Sequence, residues 1–271
     1  SHESEREITH AYARGDVWWF FEARGYRTVC SDTFPFMRKE DADVLLAGML
    51  SDEIFLGLFV DSSSWFLLGK LSRQVYMPVR GMSRGQWRDQ LEATMDHTVR
   101  FAHAEEPVLM LSHIICPHGP YVYGVEGDLD EMTVDLETET AMQSTREEQI
   151  IRYTAQVEGL NARVLEMVDG VLESPRPLVL VLMSDHGPHA WYHERADRRG
   201  IRERMSNLFA VYATDGRTDG FYHTITPINV FPVIMNTWFD QSFSLRPDRS
   251  WLSDHIRQLD FEEVTDSLHG Y

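Results

Sequence analysis

Lysine is nearly missing from this chain: only Lys39 and Lys70 occur in 271 residues, and arginine supplies almost all of the positive charge. That bias reads as the base composition of a gene, not as mechanism. Basic residues are a minority overall, 25 against 43 acidic ones, for a formal net charge of -18, and no basic run occurs anywhere. Phosphate backbones and anionic bilayers select positive surfaces, so the balance argues against nucleic acid as a partner and against an electrostatic lipid anchor. Cysteine is equally scarce. Cys30 and Cys116 each close an apolar segment, and two cysteines do not make a disulfide framework. They read as buried free thiols, with a single disulfide left open. No apolar run reaches the roughly 18 residues that span a bilayer. Ile54 to Leu68 comes nearest, and Asp61-Ser62-Ser63-Ser64 interrupts it. No stretch reads as a signal peptide, and neither an internal repeat nor a linker composition divides the chain. With 43% hydrophobic and 11% aromatic residues, the sequence can bury a substantial core, and one α/β domain over 1–271 is the expectation.

The richest segment runs Pro177-Leu178-Val179-Leu180-Val181-Leu182-Met183-Ser184-Asp185-His186-Gly187. Six apolar residues in a row predict a strand buried on both faces, as in a parallel sheet. Ligands in open α/β sheets bind beyond the carboxyl ends of such strands, which is where Asp185 and His186 fall. The alternative is an aspartate capping the next turn beside an incidental histidine. A second segment repeats the design: Pro107 to Ile115 is apolar around Ser112-His113, and Cys116-Pro117-His118-Gly119-Pro120-Tyr121 follows. If the two strands are sheet neighbours, His118 approaches Asp185 and His186. An Asp and two His suit zinc, and the carboxylate leaves manganese or magnesium open. His113, inside its apolar run, reads either as a substrate contact or as a hydrogen-bonded core histidine.

Around these segments, Glu5 to Arg24 predicts an amphipathic helix stopped by Gly25, and Tyr26 to Cys30 a short strand. Asp41 to Phe59 predicts a helix, Trp65 to Val75 another, and Arg84 to Ala104 a third. Gly124 to Glu139 is an acidic loop, either solvated or gating a site. Ser144 or Thr145 caps a long helix to Leu172, with Glu147 and Glu148 in its first turn. Ile150, Tyr153, Val157, Leu160, Val164 and Val168 form its expected core stripe. Leu208 to Ala213 predicts a strand and Pro227 to Phe239 a helix. Arg195, Arg198, Arg199, Arg202 and Arg204 form a basic segment, mostly a solvated face, from which one guanidinium can hold an anion.

In this order, His118-Gly119-Pro120-Tyr121 and Ser184-Asp185-His186-Gly187 resemble the alkaline phosphatase superfamily. The likeness is to its sulfatase-like branch, with the phosphoethanolamine transferases and lipoteichoic acid synthases. Arg204 to Tyr212, Ile225 to Phe231 and Leu245 to Ser250 resemble further blocks of sulfatase-like proteins, so the likeness covers roughly residues 100–255. It implies an α/β/α sandwich with a mostly parallel central sheet and a metal-dependent hydrolase or phosphotransferase. Its substrate would be a small-molecule or lipid-linked phospho- or sulfo-ester. Asp185 and His186 would be metal ligands, with His193 as a further one. His118 would be catalytic and, with His113, substrate-binding. Zinc is the expected metal, ahead of manganese, magnesium or calcium. The resemblance also implies the extracytoplasmic face of a membrane-anchored protein. One departure stands out. The family's first strand, with its carboxylate, and its nucleophile precede a region resembling Ile8 to Val29. Both are therefore expected upstream of Ser1, with a missing segment or a second chain completing the sheet. No nucleophile is assigned, so the isolated chain is expected to be inactive; Ser62, Ser63 and Ser64 read as a polar loop. A non-catalytic module that keeps the fold is the competing expectation.

Overall fold

A computed structural model describes residues 16–32, 42–47, 84–124, 145–188, 190–191, 197–253 and 260–268. The chain is mixed α/β and divides into two compact units, Ser1–Arg176 and Pro177–Tyr271.

In the first unit, helix α1 (Asp16–Glu22) leads into strand β1 (Arg27–Asp32). Gly25 ends the helix as expected, at φ 77°, a region open to glycine. Gly25 N–H donates to the Glu22 carbonyl and Tyr26 N–H to that of Phe21. The Tyr26 and Phe21 rings then meet edge to face at 5.2 Å, completing a Schellman stop. Strand β1 lies between β2 (Val44–Ala47) and β3 (Val108–His113), parallel to both. The helix expected over Asp41 to Phe59 is thus corrected over its described part, where Val44-Leu45-Leu46-Ala47 pairs with Val29 to Asp32; residues 48–59 lie outside the described residues. A four-residue apolar run carries no period that separates strand from helix, and here distant pairing decides. The helix expected over 65–75 and the acidic loop over 125–139 lie outside the described residues.

Alternation along β1 sends its side chains to two faces. Thr28 bonds Glu22 of α1 at 3.3 Å, and Cys30 packs on Trp18. On the other face Ser31 meets His97 Nδ1 at 3.0 Å, and its register partner Ser112 meets Thr98 at 2.5 Å. Both partners lie on α2 (Arg84–Ala102). Helix α3 (Arg146–Leu172) packs on α2 through Trp87, Leu91, Met95, Leu160 and Met167, with Val122 and Tyr123 between them. Thr145 caps it in a full capping box with Glu148. The expected stripe holds at Leu160, Val164 and Val168, which pack in this core, and gives way elsewhere. Gln156, Gly159, Leu160, Met167 and Val171 are buried, whereas Ile150 is 37% exposed. Cys30 and Cys116 are free thiols; Cys30 is buried, and burial pushes the Cys116 thiol well above its usual range.

The second unit starts with β4 (Val179–Met183), paired antiparallel with β5 (Phe209–Ala213). This corrects the expectation of a parallel strand buried on both faces: Val179 and Met183 are exposed among the described residues. An apolar run states that a strand wants cover; it does not encode the direction of its partner. Helix α4 (Arg198–Met205) connects them, with Asp197 as its N-cap. Helix α5 (Pro227–Trp238) follows, and β6 (Trp251–Leu252) pairs with β7 (Glu262–Glu263) ahead of α6 (Thr265–Leu268). Fully buried Asn229 ties α5 to the following loop, accepting from Arg246 N–H and donating to the Arg246 carbonyl and Asp248.

Candidate functional site

Asp185 and His186 occupy the turn leaving β4. Four hydrogen bonds hold that turn. Asn207 donates to the Ser184 and Asp185 carbonyls at 3.0 and 2.9 Å, Leu208 N–H to the Ser184 hydroxyl at 2.8 Å, and Gly187 N–H to the Arg204 carbonyl at 2.8 Å. Gly187 sits so close to α4 that a Cβ would lie 2.0 Å from the Glu203 carbonyl oxygen. The carboxylate of Asp185 is 85% exposed, and His186 is 41% exposed. Asp185 Oδ1 accepts from the His186 N–H at 2.9 Å, and Oδ2 lies 3.4 Å from His186 Nε2.

That separation suits a shared cation. Two ligand atoms, each about 2.1 Å from a tetrahedral zinc ion, stand about 3.4 Å apart. The other ring nitrogen has two neighbours. Nδ1 lies 2.9 Å from the Gly187 carbonyl and 2.8 Å from an Arg204 guanidinium nitrogen. With the proton on Nδ1, the ring donates to Gly187 and turns a bare Nε2 to the Asp185 side, the form a metal takes. With the proton on Nε2, the ring accepts from Arg204 and donates toward Asp185. Arg204 also reaches the Gly187 carbonyl at 3.2 Å, so it bridges both groups. The basic segment is thereby resolved into separate tasks. Arg204 serves the turn, Arg198 and Arg202 donate to the Ser267 carbonyl, and Arg199 stacks on Trp191 at 3.3 Å. His193 and Arg195 lie outside the described residues.

The first unit holds the other two histidines. His113 ends β3, in register with Asp32 at the end of β1. His118 is exposed on the loop that follows, and its Nδ1 lies 2.7 Å from the Gly119 carbonyl. A carbonyl only accepts, so Nδ1 carries the proton, and in the neutral ring Nε2 presents its lone pair. The loop is clamped by fully buried Gln156 on α3. The structure thus brings Asp185 and His186 together, and β3 and β4 each find their described partners inside their own unit. Among the described residues no group of three His, Cys, Asp or Glu side chains gathers to hold an ion.

The sequence reading passes over Asn207 and Gln156. The only signal for Gln156 is a primary amide set between apolar residues at helical spacing. Asn207 falls within the Arg204 to Tyr212 block but takes no role there. No family model matches the chain, and neither a curated protein nor a solved structure matches it.

Proposed function

We propose that the chain is a metal-dependent, sulfatase-like hydrolase or phosphotransferase of the alkaline phosphatase type, built on an α/β/α sandwich. It acts on a phospho- or sulfo-ester, small or lipid-linked, on the extracytoplasmic side of a membrane. The observation that carries the reading is the Asp185–His186 pair: two donor atoms 3.4 Å apart on a turn locked by Gly187 and Asn207.

Asp185 and His186 hold the cation in this reading. A bound divalent ion supplies charge neutralisation at the ester oxygens and acidifies a coordinated hydroxyl. Asp185 brings the negative charge of the ligand set, and Gly187 and Arg204 decide which imidazole nitrogen is bare. Arg204 is close enough to this pair to hold an anionic ester oxygen by charge-assisted hydrogen bonds. In this reading His118 has the catalytic role, its neutral ring with the proton on Nδ1 taking a proton at Nε2 and returning it to a leaving oxygen. Positioning and charge stabilisation carry most of the rate in phosphoryl transfer, so loss of Asp185 costs more than loss of His118.

Elemental analysis of the purified protein beside Asp185→Ala tests the reading. Near-stoichiometric zinc or manganese, lost in the variant, is the expected result. Hydrolysis of an aryl phosphate against an aryl sulfate then separates the two ester classes. A wild-type protein that takes up neither metal overturns the proposal in favour of a non-catalytic module.

A further inference from the structure

We infer that Gln156 is a positioning residue that fixes the backbone and the tautomer of His118; the inference rests on reading His118 as a site residue. Gln156 lies on the buried face of α3 with no solvent exposure. An amide there demands four hydrogen-bond partners or carries a desolvation cost. It finds all four in one short segment. Its Oε1 accepts from Val122 N–H at 2.7 Å and Tyr123 N–H at 3.1 Å. Its Nε2 donates to the Pro117 carbonyl at 3.4 Å and the His118 carbonyl at 3.2 Å.

One side chain therefore grips both ends of the Pro117–Tyr123 loop. One helical turn on, Gly159 admits the exit of that loop, because a Cβ there would lie 2.0 Å from the Gly124 carbonyl oxygen. The exit is pinned again by the Tyr123 hydroxyl, which donates to Glu92 at 3.1 Å. Glu92 in turn takes three bonds from Arg163, two from Nε at 3.0 and 2.9 Å and one from Nη2 at 2.5 Å. Burial alone would raise the Glu92 carboxyl, but the Arg163 and Tyr123 hydrogen bonds and the Arg163 charge hold it below its usual range.

All of this surrounds an exposed imidazole. A core that only needed filling would take a leucine at 156 and no polar partner. An amide with every valence spent on the backbone around His118 fixes where the His118 carbonyl points. It also fixes where Gly119 O sits, the atom that holds the ring at 2.7 Å. The consequence is a single Nδ1–H tautomer with Nε2 held outward.

Nitrogen-15 NMR of the His118 ring, at a pH where it is neutral, tests this on the whole chain. Wild type is expected to show Nδ1–H with a bare Nε2. Gln156→Leu removes all four bonds. Gln156→Glu keeps the acceptor for Val122 and Tyr123 and loses the donors to Pro117 and His118. Hydrogen exchange at Val122 and Tyr123 should quicken by about tenfold or more in Gln156→Leu and stay slow in Gln156→Glu. Both variants should mix the two ring tautomers, which a general loss of stability in a folded variant does not do. A single Nδ1–H form persisting in either folded variant, or an Nε2–H form in wild type, overturns the inference. Should Gln156→Leu fail to fold, Gln156→Glu and the wild-type ring decide. His118→Ala separates the two claims: unchanged turnover of the aryl ester removes His118 from the site, while the tautomer result still judges Gln156.

Discussion

At the scale of single residues, the site turn depends on missing atoms as much as on present ones. Gly187 carries no chemistry, yet a methyl group there would lie 2.0 Å from the Glu203 carbonyl oxygen. Backbone cannot rotate aside as a side chain can, so Gly187→Ala must push α4 away from the turn. Overpacking of this kind costs about 1–3 kcal/mol, and urea unfolding should show a loss in that range. The same shift would move the Arg204 carbonyl, which accepts from Gly187 N–H, and loosen the grip on His186. If the proposed metal reading holds, metal retention should therefore fall with stability. Full retention in a destabilised variant would mean that the turn adapts around the ion. The Asp185–His186 pair was legible in the sequence because two adjacent residues after an apolar strand share a turn whatever surrounds them. Asn207, 22 residues beyond Asp185 and bonded to its carbonyl, was not, since only the folded chain brings them together.

Elements were legible in proportion to how locally they are determined. Helix α3 has a capping residue, an acidic first turn and a repeating apolar stripe, and it forms where those signals put it. Its start rests on Thr145, whose hydroxyl accepts from Glu148 N–H at 3.3 Å while the Glu148 carboxylate accepts from Thr145 N–H at 2.8 Å. Thr145→Ala removes half of that reciprocal pair and should destabilise the first unit by about 1 kcal/mol. A thermal melt unchanged within error would show that the box contributes nothing beyond water at this helix end. The strands tell the opposite story. Val44–Ala47 has too few residues to show a period, and its identity comes from β1, 15 residues earlier in register. The apolar runs of β4 and β5 were both legible as strands, but their antiparallel pairing was not. Gln156 escaped for a related reason. Periodicity counts apolar positions, and this position is buried for the sake of a loop over 30 residues away.

For the whole molecule the dominant fact is charge. A net charge of -18 and a pI near 5.0 leave the folded chain repelling itself at neutral pH. Ion pairs such as Arg27–Glu106 at 2.7 Å and Arg217–Asp215 at 2.8 Å oppose that, but they are substantially exposed and contribute little each. Salt weakens both effects, and the signs differ: screening relieves the repulsion and also weakens the pairs. The excess of 18 acidic residues acts over the whole surface, whereas a pair at contact distance lies well inside a screening length of about 8 Å at physiological ionic strength. Repulsion should therefore be the term that salt removes. Raising sodium chloride from about 10 mM, where the screening length is about 30 Å, to about 150 mM should raise the melting temperature by about 2–4 °C, the shift that 1 kcal/mol gives in a chain near this size. A melting temperature that falls over that range would mean that contact pairs outweigh the global charge. Under the proposed function, the same screening should ease the approach of an anionic ester, so any ester turnover should also rise with salt at fixed, low substrate. A neutral ester analogue, which feels no such barrier, should show no comparable gain.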